Sequence, residues 1–505
     1  MTFALRTYQV AAGEGLRAGL REGFRRQMLG SPTGSGKTEC GMEIIRGAVS
    51  RGKRVTFLCN RIHLVGQTSR RLTAAGIGHG IVQSGNSVRE YLPVIVASIQ
   101  TVARRGLPET DLIIIDEAHA VAGSKEFRKI IIDRPGVPVI GMSATPWSKG
   151  LAKHFDELGG PLFERLVTAT TIPDLIRDGW LVDADVYAPS EPDLSGVKIV
   201  AGDYNEEQLG AAVDKPELIG DIVAHWLKLA NGAPTVCFAT NIAHSKHIAA
   251  QFCLAGVTAE HIDCYTDDKT RDEVLARSKS GETSIITNVG ILCEGWDFPA
   301  CKVLILARPT RSRIRFIQMA GRVLRPYEGK DRALILDHSG TCKRLGFPTD
   351  HFALAMDDGK AKKPGDPKPK EEPLPKPCPA CHFLKPAKVH KCPACGFAPE
   401  RQSEVQVGDG ELVLLTRSKG QEKAHRVRKG IEEFGSKQST YGQLLTVQRS
   451  RGYKPGWSSN KFRTIWGVWP KGMTEDAEPV SGRMHQFLKA EAIRFSYAKQ
   501  SRGAA

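Results

Sequence analysis

The chain has 505 residues, 41% of them hydrophobic and 25% charged, which leaves room for three or four domains with sizeable cores. Its 71 Lys and Arg against 55 Asp and Glu give a formal charge of +16, which favours a polyanionic partner, nucleic acid well ahead of an anionic membrane surface. No apolar run approaches the roughly 20 residues of a membrane helix, and MTFALRTYQV lacks the basic and apolar regions of a secretory signal, so no membrane partner is expected.

Near the N-terminus, Tyr8 and Gln9 precede a short apolar strand (Met28, Leu29) and the stretch Ser31 to Thr38, SPTGSGKT. A Gln can pair with both the donor and the acceptor of an adenine edge, although an exposed Gln is common. The loop lies between a strand and a helical pattern (Glu39 to Val49), and Gly34 and Gly36 let its backbone turn tightly. The N–H groups of Thr33, Gly34, Ser35 and Gly36 can then point at phosphate oxygens, with the positive end of the helix behind them. Lys37 would reach the β- and γ-phosphates of ATP, and the Thr38 hydroxyl would hold Mg2+. Ser31 stands where the common form of this loop has Gly, and an ordinary Gly/Ser turn would read similarly.

An α/β alternation follows: strand Val55 to Cys59, helix Arg61 to Leu72, strand Val94 to Ser98, then the apolar run Leu112 to Ile115. That run suits a strand buried on both faces of a parallel sheet, whose C-terminal end is where such sheets place chemistry. It ends in Asp116-Glu117-Ala118-His119. Asp116 can hold Mg2+ through water, and Glu117 can orient and deprotonate an attacking water; an acidic pair after a strand can also be a helix N-cap. A further strand, Val137 to Met142, ends in Ser143-Ala144-Thr145, whose small hydroxyls could link the nucleotide site to a second lobe.

In this order SPTGSGKT, DEAH and SAT resemble motifs I, II and III of superfamily 2 helicases and translocases. The resemblance implies motif Ia at Leu58 to Gln67 and motif Ib at Ala97 to Arg105, with Arg61, Ser98 and Thr101 touching a nucleic-acid backbone. Helix starts at these positions offer phosphate donors. It also implies a RecA-like first lobe over residues 1–168.

A second alternation, taken as a second RecA-like lobe over 169–356, places strands at Thr235 to Ala239, Ser284 to Thr287 and Lys302 to Ala307. A helix is expected to carry Gln318, Gly321, Arg322 and Arg325, with both arginines on one face. This resembles motif VI, QxxGRxxR, whose arginines reach the γ-phosphate held by the first lobe. TNVGILCEGWDFP resembles motif V. There Thr287 and Asn288 would contact backbone phosphate, while Gly295 and Asp297 approach the nucleotide. With RPT at Arg308 to Thr310 and ILDHSG at Ile335 to Gly340, the set is similar to RadD-like and phage helicases, cousins of restriction-enzyme motor subunits. Position 318 is Gln where DEAD-box RNA helicases have His, which favours DNA over RNA. The resemblance implies an ATP-dependent DNA helicase or translocase in the cytoplasm of a bacterial or phage-infected cell, working in repair, recombination or phage replication. The alternatives are the motor of a restriction or nuclease complex, and a nucleic-acid-binding adaptor.

Residues 357–377, rich in Pro, Lys and acid, read as an extended linker. Over 378–400 two CPAC knuckles place Cys378, Cys381, Cys392 and Cys395 at the spacing of a structural Zn2+ ribbon, with a redox pair or two disulfides as the other readings. The remaining eight Cys read as small hydrophobes in a reducing compartment. The region 401–505 is expected to be basic, mainly helical and nucleic-acid-binding, with a protein partner as a further possibility. From Arg417 to Arg463 it carries 12 Lys and Arg against 3 acidic residues, a net +9. Tyr441, Tyr453, Trp457 and Phe462 interleave with that charge and could stack on bases; Trp457, Trp466 and Trp469 could equally form a small core.

Overall fold

The computed structural model describes residues 5–60, 62–230, 232–293, 296–360, 373–399 and 434–502. It divides into one unit over Met1–Glu400 and another over Arg401–Ala505.

In the first lobe of the first unit, the strands are β1 (Arg26–Gly30), β2 (Val55–Cys59), β3 (Gly80–Gln83), β4 (Asn86–Val88), β5 (Val94–Ser98), β6 (Leu112–Ile115) and β7 (Val139–Ser143). A short hairpin, β8 (His154–Phe155) with β9 (Gly160–Pro161), precedes β10 (Arg165–Thr168). The sheet order is β10-β1-β7-β6-β2-β5-β3-β4, parallel throughout except at β4. Helices cover both faces, so β2, β5, β6 and β7 are buried along their whole length, and β6 reads as an unbroken apolar run.

The second lobe contains β11 (Asp183–Tyr187), a hairpin of β12 (Ile199–Val200) and β13 (Asp203–Tyr204), then β14 (Thr235–Phe238), β15 (Ala259–Ile262), β16 (Ile285–Asn288), β17 (Val303–Leu306) and β18 (Arg332–Asp337). Its sheet is fully parallel in the order β11-β18-β17-β14-β16-β15.

Three expectations change here. The helix expected to carry all of QxxGRxxR spans only Arg313–Ala320, so Arg322 and Arg325 lie beyond its end. The chain tightens there into i→i+3 turns, Arg322 N to Met319 O (3.3 Å) and Val323 N to Ala320 O (3.1 Å), as helix ends commonly do.

The second lobe also does not run to residue 356. Phe352, Leu354 and Met356 alternate with exposed residues; Phe352 packs on the second lobe's core and edge to face on Trp147, and the chain after it turns back onto the first lobe. Met356 joins the first lobe's core, Trp147 Nε1 donates to Ala353 O (3.0 Å), and Ala152 N donates to Asp357 O (2.8 Å). Arg313 of the second lobe lies over both the Trp147 and Phe352 rings.

The cysteine module, finally, is not set apart from the motor. Its hairpin, β19 (Lys376–Pro377) with β20 (Leu384–Lys385), docks on the open edge of β11: Ala188 N donates to His382 O (3.0 Å), Phe383 meets Tyr187 edge to face, and Leu384 is buried in the second lobe's core. Covering an edge strand removes a row of unpaired backbone groups.

In the second unit, helices Lys437–Ser450 and Trp457–Trp466 flank a turn containing Pro455 and Gly456, and Gly482–Arg502 follows. Tyr441, Phe462 and Trp466 are buried together with Leu444 and Met484, so these aromatics form a core and do not offer faces to bases. Trp469 remains 46% exposed beneath Arg463, and Tyr453 packs on Trp457. Much of the basic run, residues 417–433, lies outside the described residues. Among the described residues no helix is long and apolar enough to cross a membrane.

Candidate active site

The loop after β1 has the geometry its glycines predict. Gly34 (φ 82°) and Gly36 (φ 78°) are left-handed, and helix Lys37–Val49 starts directly behind them. A Cβ on Gly36 would strike Gln9 Nε2, and one on Gly34 would strike Leu181 of the second lobe. Gln9 itself is buried. Its Nε2 donates to Ser35 O (3.1 Å) and Gly36 O (3.3 Å), and its Oε1 accepts from Arg6 N (2.9 Å), so the side chain braces the loop. Tyr8 OH also donates to Ser35 O (2.7 Å).

Asp116 and Glu117 stand at the C-terminal end of β6, facing this loop. Glu117 adopts φ 47°, a left-handed conformation that a non-Gly residue keeps only when its surroundings enforce it. Its carboxylate is buried beside the imidazole of His119. Burial first, then the Glu117 charge, push the Asp116 carboxyl upward. Burial also raises Glu117, but its bond to His119 and the charges of Lys37, His119 and Arg322 outweigh that and hold it below the usual carboxylate range. The two neighbouring acids are thus driven apart, Asp116 upward and Glu117 downward.

His119 proves to be the hub. Its Nδ1 lies 3.0 Å from Ser143 Oγ and 3.3 Å from Glu117 Oε2, and its Nε2 lies 3.2 Å from Gln318 Nε2 of the second lobe. The sequence placed His119 in DEAH without giving it a role. Nearby, Gly321 sits so close to Thr33 that an added Cβ would lie 2.7 Å from the Thr33 Cβ. The phosphate loop and QxxGRxxR therefore share one cleft.

Arg322 is buried and donates to Trp296 O (2.6 Å), and Arg325 is ion-paired with Asp297. Burial first, then Arg71, push the Arg325 guanidinium down to about 10. Arg71 was missed from the sequence, where it reads as a helix-surface charge; its Nη1 donates to Thr38 Oγ1 (3.0 Å). These groups can cradle phosphates, hold a divalent cation at Thr38 and Asp116, and present Glu117 to a water. Gly295 and Arg61 lie outside the described residues.

The side chains expected to meet nucleic acid lie inside the lobes. Ser98 caps helix Ile99–Arg105, and Thr101 accepts from Ser84 N (3.1 Å). Thr287 donates to Ser245 O (3.0 Å), and Asn288 Nδ2 donates to Cys237 O (2.9 Å). All four are buried with their polar atoms engaged inside the lobes.

In the ribbon, the four Sγ atoms of Cys378, Cys381, Cys392 and Cys395 lie within 4.8 Å of one another, with Cys378–Cys395 at 3.8 Å and Cys381–Cys392 at 3.7 Å. A tetrahedron of sulfurs about 2.3 Å from zinc has edges of about 3.8 Å, whereas a disulfide needs about 2.05 Å. Both knuckles turn alike: His382 (φ 61°) and Gly396 (φ 74°) donate their N–H to Cys378 O and Cys392 O (both 2.9 Å). The donor set fits a closed zinc site.

Residues 2–148 match the family described as "Type III restriction enzyme, res subunit", and residues 214–327 match "Helicase conserved C-terminal domain". A 51.5 kDa protein of a Lactococcus phage (isolate 7-9) is 30% identical over 395 residues, covering 78% of this chain and 83% of its own. A Saccharomyces cerevisiae protein described as an ATP-dependent helicase, IRC3, is 33% identical over 262 residues, 49% of this chain and 37% of that protein. A fragment described as an HsdR subunit of a type I restriction enzyme from Vibrio vulnificus YJ016 shares the fold at a TM-score of 0.54, with 22% identity over 70% of this chain and 69% of its own.

Proposed function

This chain belongs to the superfamily 2 helicases, the group it shares with restriction-enzyme motor subunits, and from that premise we propose that it hydrolyses ATP between its two lobes to move along and open DNA. The observation that carries the proposal is the shared cleft, in which Gln318 meets His119 and Gly321 seats on Thr33 across the lobes.

In this reading the loop Thr33 to Thr38 cradles the phosphates, and Lys37 neutralises their charge. Thr38 and Asp116 would hold Mg2+, which spreads the phosphate charge. Glu117 positions and deprotonates the water. Arg322 and Arg325 complete the site when the lobes close; an arginine of this kind can be worth ~10³–10⁵ in turnover. Closure and reopening of the cleft give motion along a strand. Cys378, Cys381, Cys392 and Cys395 would hold zinc, which would keep folded the ribbon that docks on β11. That none of the twelve cysteines is in a disulfide agrees with a reducing cytoplasm, and repair, recombination or phage replication are the settings in which such a motor would work.

A second reading, the motor of a restriction complex, draws on the match of residues 2–148 and would require a partner chain. The deciding experiment measures hydrolysis by the full chain alone, with single-stranded DNA, forked DNA and RNA. DNA-stimulated turnover that Lys37→Ala abolishes supports the proposal, and equal rates with and without nucleic acid would refute it. Strand displacement that requires a copurifying subunit would favour the second reading.

A further inference from the structure

Lys330 takes its amine into the second lobe with no acid to meet it. The residue is 5% exposed, and among the described residues no carboxylate pairs with it. Its Nζ donates instead to two backbone carbonyls, Pro299 O (3.0 Å) and Cys301 O (2.7 Å). Burial pushes the ammonium down to about 8; the Cys301 thiol opposes this, and Arg325 and Lys302 add to it. Charged or neutral, the group keeps an N–H for each of the two carbonyls. An apolar side chain of the same length would bury at less cost, but it would leave both oxygens without this donor.

The two carbonyls belong to the segment that holds the paired arginines. At its start, Trp296 O accepts from Arg322 Nη1 (2.6 Å), and Asp297 is ion-paired with Arg325. Trp296 and Phe298 are buried edge to face, and Cys301 N donates to Phe298 O (3.0 Å), so the segment turns tightly before entering β17. Lys330 is separated from Arg325 by one turn, in which its own N–H donates to Tyr327 O (3.0 Å) and Gly329 is left-handed (φ 73°). The chain thereby closes a ring. It runs from Arg325 through the turn to Lys330, across two hydrogen bonds to Pro299 and Cys301, and back through Asp297 to the Arg325 guanidinium. The Arg325 Cγ already lies over the phosphate loop, 3.8 Å from where a Cβ on Gly34 would stand.

We propose that Lys330 is a positioning residue for ATP hydrolysis: by pinning Pro299 and Cys301 to the turn after Arg325, it sets where the Arg325 guanidinium meets the γ-phosphate. It acts through Asp297 and not on ATP itself. A free arginine side chain would have to find its place at each closure of the cleft, whereas one held in this ring is placed beforehand. The inference rests on the proposed function above, in which Arg325 acts on ATP.

The test uses the full chain and three variants: Lys330→Met, which keeps the length of the side chain and removes its donors, Arg325→Ala, and the two combined. Turnover is measured with saturating single-stranded DNA, alongside the affinities for ADP and for ADP with fluoroaluminate, a mimic of the phosphoryl group in transfer. A misplacement of about 1 Å can cost roughly a hundredfold, so Lys330→Met should lower kcat about ten- to hundredfold. Affinity for the fluoroaluminate complex should weaken by a similar factor, while ADP affinity and the KM for ATP stay within about twofold. Added to Arg325→Ala, Lys330→Met should cost less than about threefold more. Normal kcat in Lys330→Met would overturn the proposal. So would a loss of ADP affinity in step with kcat, or losses that multiply in the double variant, either of which would make Lys330 a prop for the lobe. Asp297→Ala cuts the same ring at a link whose side chain is 58% exposed, and it should show the same split between kcat and ADP affinity. Normal kcat there overturns the proposal even where Lys330→Met fails to fold. Arg325→Ala turning over at the wild-type rate would refute the reading of Arg325 itself, and the positioning role with it.

Discussion

His119 and Gln318, one from each lobe, bring their Nε2 atoms to 3.2 Å. With the Gln318 amide nitrogen as donor, His119 Nε2 must accept, so its proton sits on Nδ1, toward Ser143 Oγ and Glu117. The imidazole thus relays the position of the second lobe to the carboxylate proposed as base. A double-mutant cycle measures this. His119→Ala and Gln318→Ala should each slow ATP turnover about five- to tenfold, the worth of one net hydrogen bond, and the double variant should be no slower than the worse single one. Losses that multiply would mean that the two residues act independently.

The phosphate loop and the acidic pair were legible in the sequence because their chemistry is local. A backbone cradle needs contiguous residues, and Gly34 and Gly36 could be read directly as the left-handed positions they occupy. His119 was not, since its role exists only when a residue from the other lobe arrives. That Thr287 and Asn288 bond inside the lobe was not legible, because motif spacing does not say where a side chain points. Their strand is buried on both faces, which leaves no outward side. The return of Leu354 and Met356 to the first lobe did leave a signal, the period-two apolar pattern from Phe352 onward, but the partner Trp147, whose ring donates to Ala353, lies far upstream and nothing local names it.

Gly321 has an ordinary helical φ of −60°, so only its contact with Thr33 demands glycine. Gly321→Ala should leave each lobe folded but hold the cleft ajar by the ~1–3 kcal/mol that overpacking costs, and turnover should fall about five- to hundredfold with ATP still bound. Gly47→Ala, in a helix with only Arg51 nearby, is the control and should be neutral or stabilising. Normal turnover in Gly321→Ala would show that the lobes do not need this approach.

Acid should unfold the second lobe through two histidines. Burial pushes His244 down to about 4, and burial with the neighbouring His225 pushes His338 down to about 3. Both folded values lie below the unfolded 6.5, so the unfolded chain holds more protons in between. The stability is fully present above pH 6.5 and is lost as pH falls toward 4 and 3, at up to about 2.7 kcal/mol per pH unit for two protons. Denaturant unfolding across pH 7 to 4 checks this, and His338→Asn should remove about half of the slope. An unchanged slope in that variant would rule His338 out.

Truncation after residue 400 should leave a folded motor, because the ribbon is part of the second lobe's surface and the unit boundary follows it. If about four basic groups of the missing region contact phosphate, log affinity against log salt should flatten by about three units. Hydrolysis per DNA-bound molecule should survive. An unchanged salt slope would assign the region to a protein partner.

Metal removal should reach further than the ribbon. Four thiolates without zinc leave the two knuckles nothing to turn around, and the span is too small to fold on its own. The ribbon nevertheless places Leu384 in the second lobe's core and Phe383 against Tyr187. Losing them should remove about 2 kcal/mol of apolar burial and about 1 kcal/mol of ring contact, and should expose the edge of β11. A chelator in reducing buffer, or Cys378→Ser with Cys392→Ser, should therefore lower the unfolding midpoint of the second lobe as well as abolish zinc binding. Leu384→Ala separates the two effects: zinc should stay at one per chain while the midpoint still falls. Protein free of zinc as purified would sink the assignment of the cluster. Zinc at one per chain with a midpoint indifferent to its removal would show that the ribbon rides on β11 without supporting it.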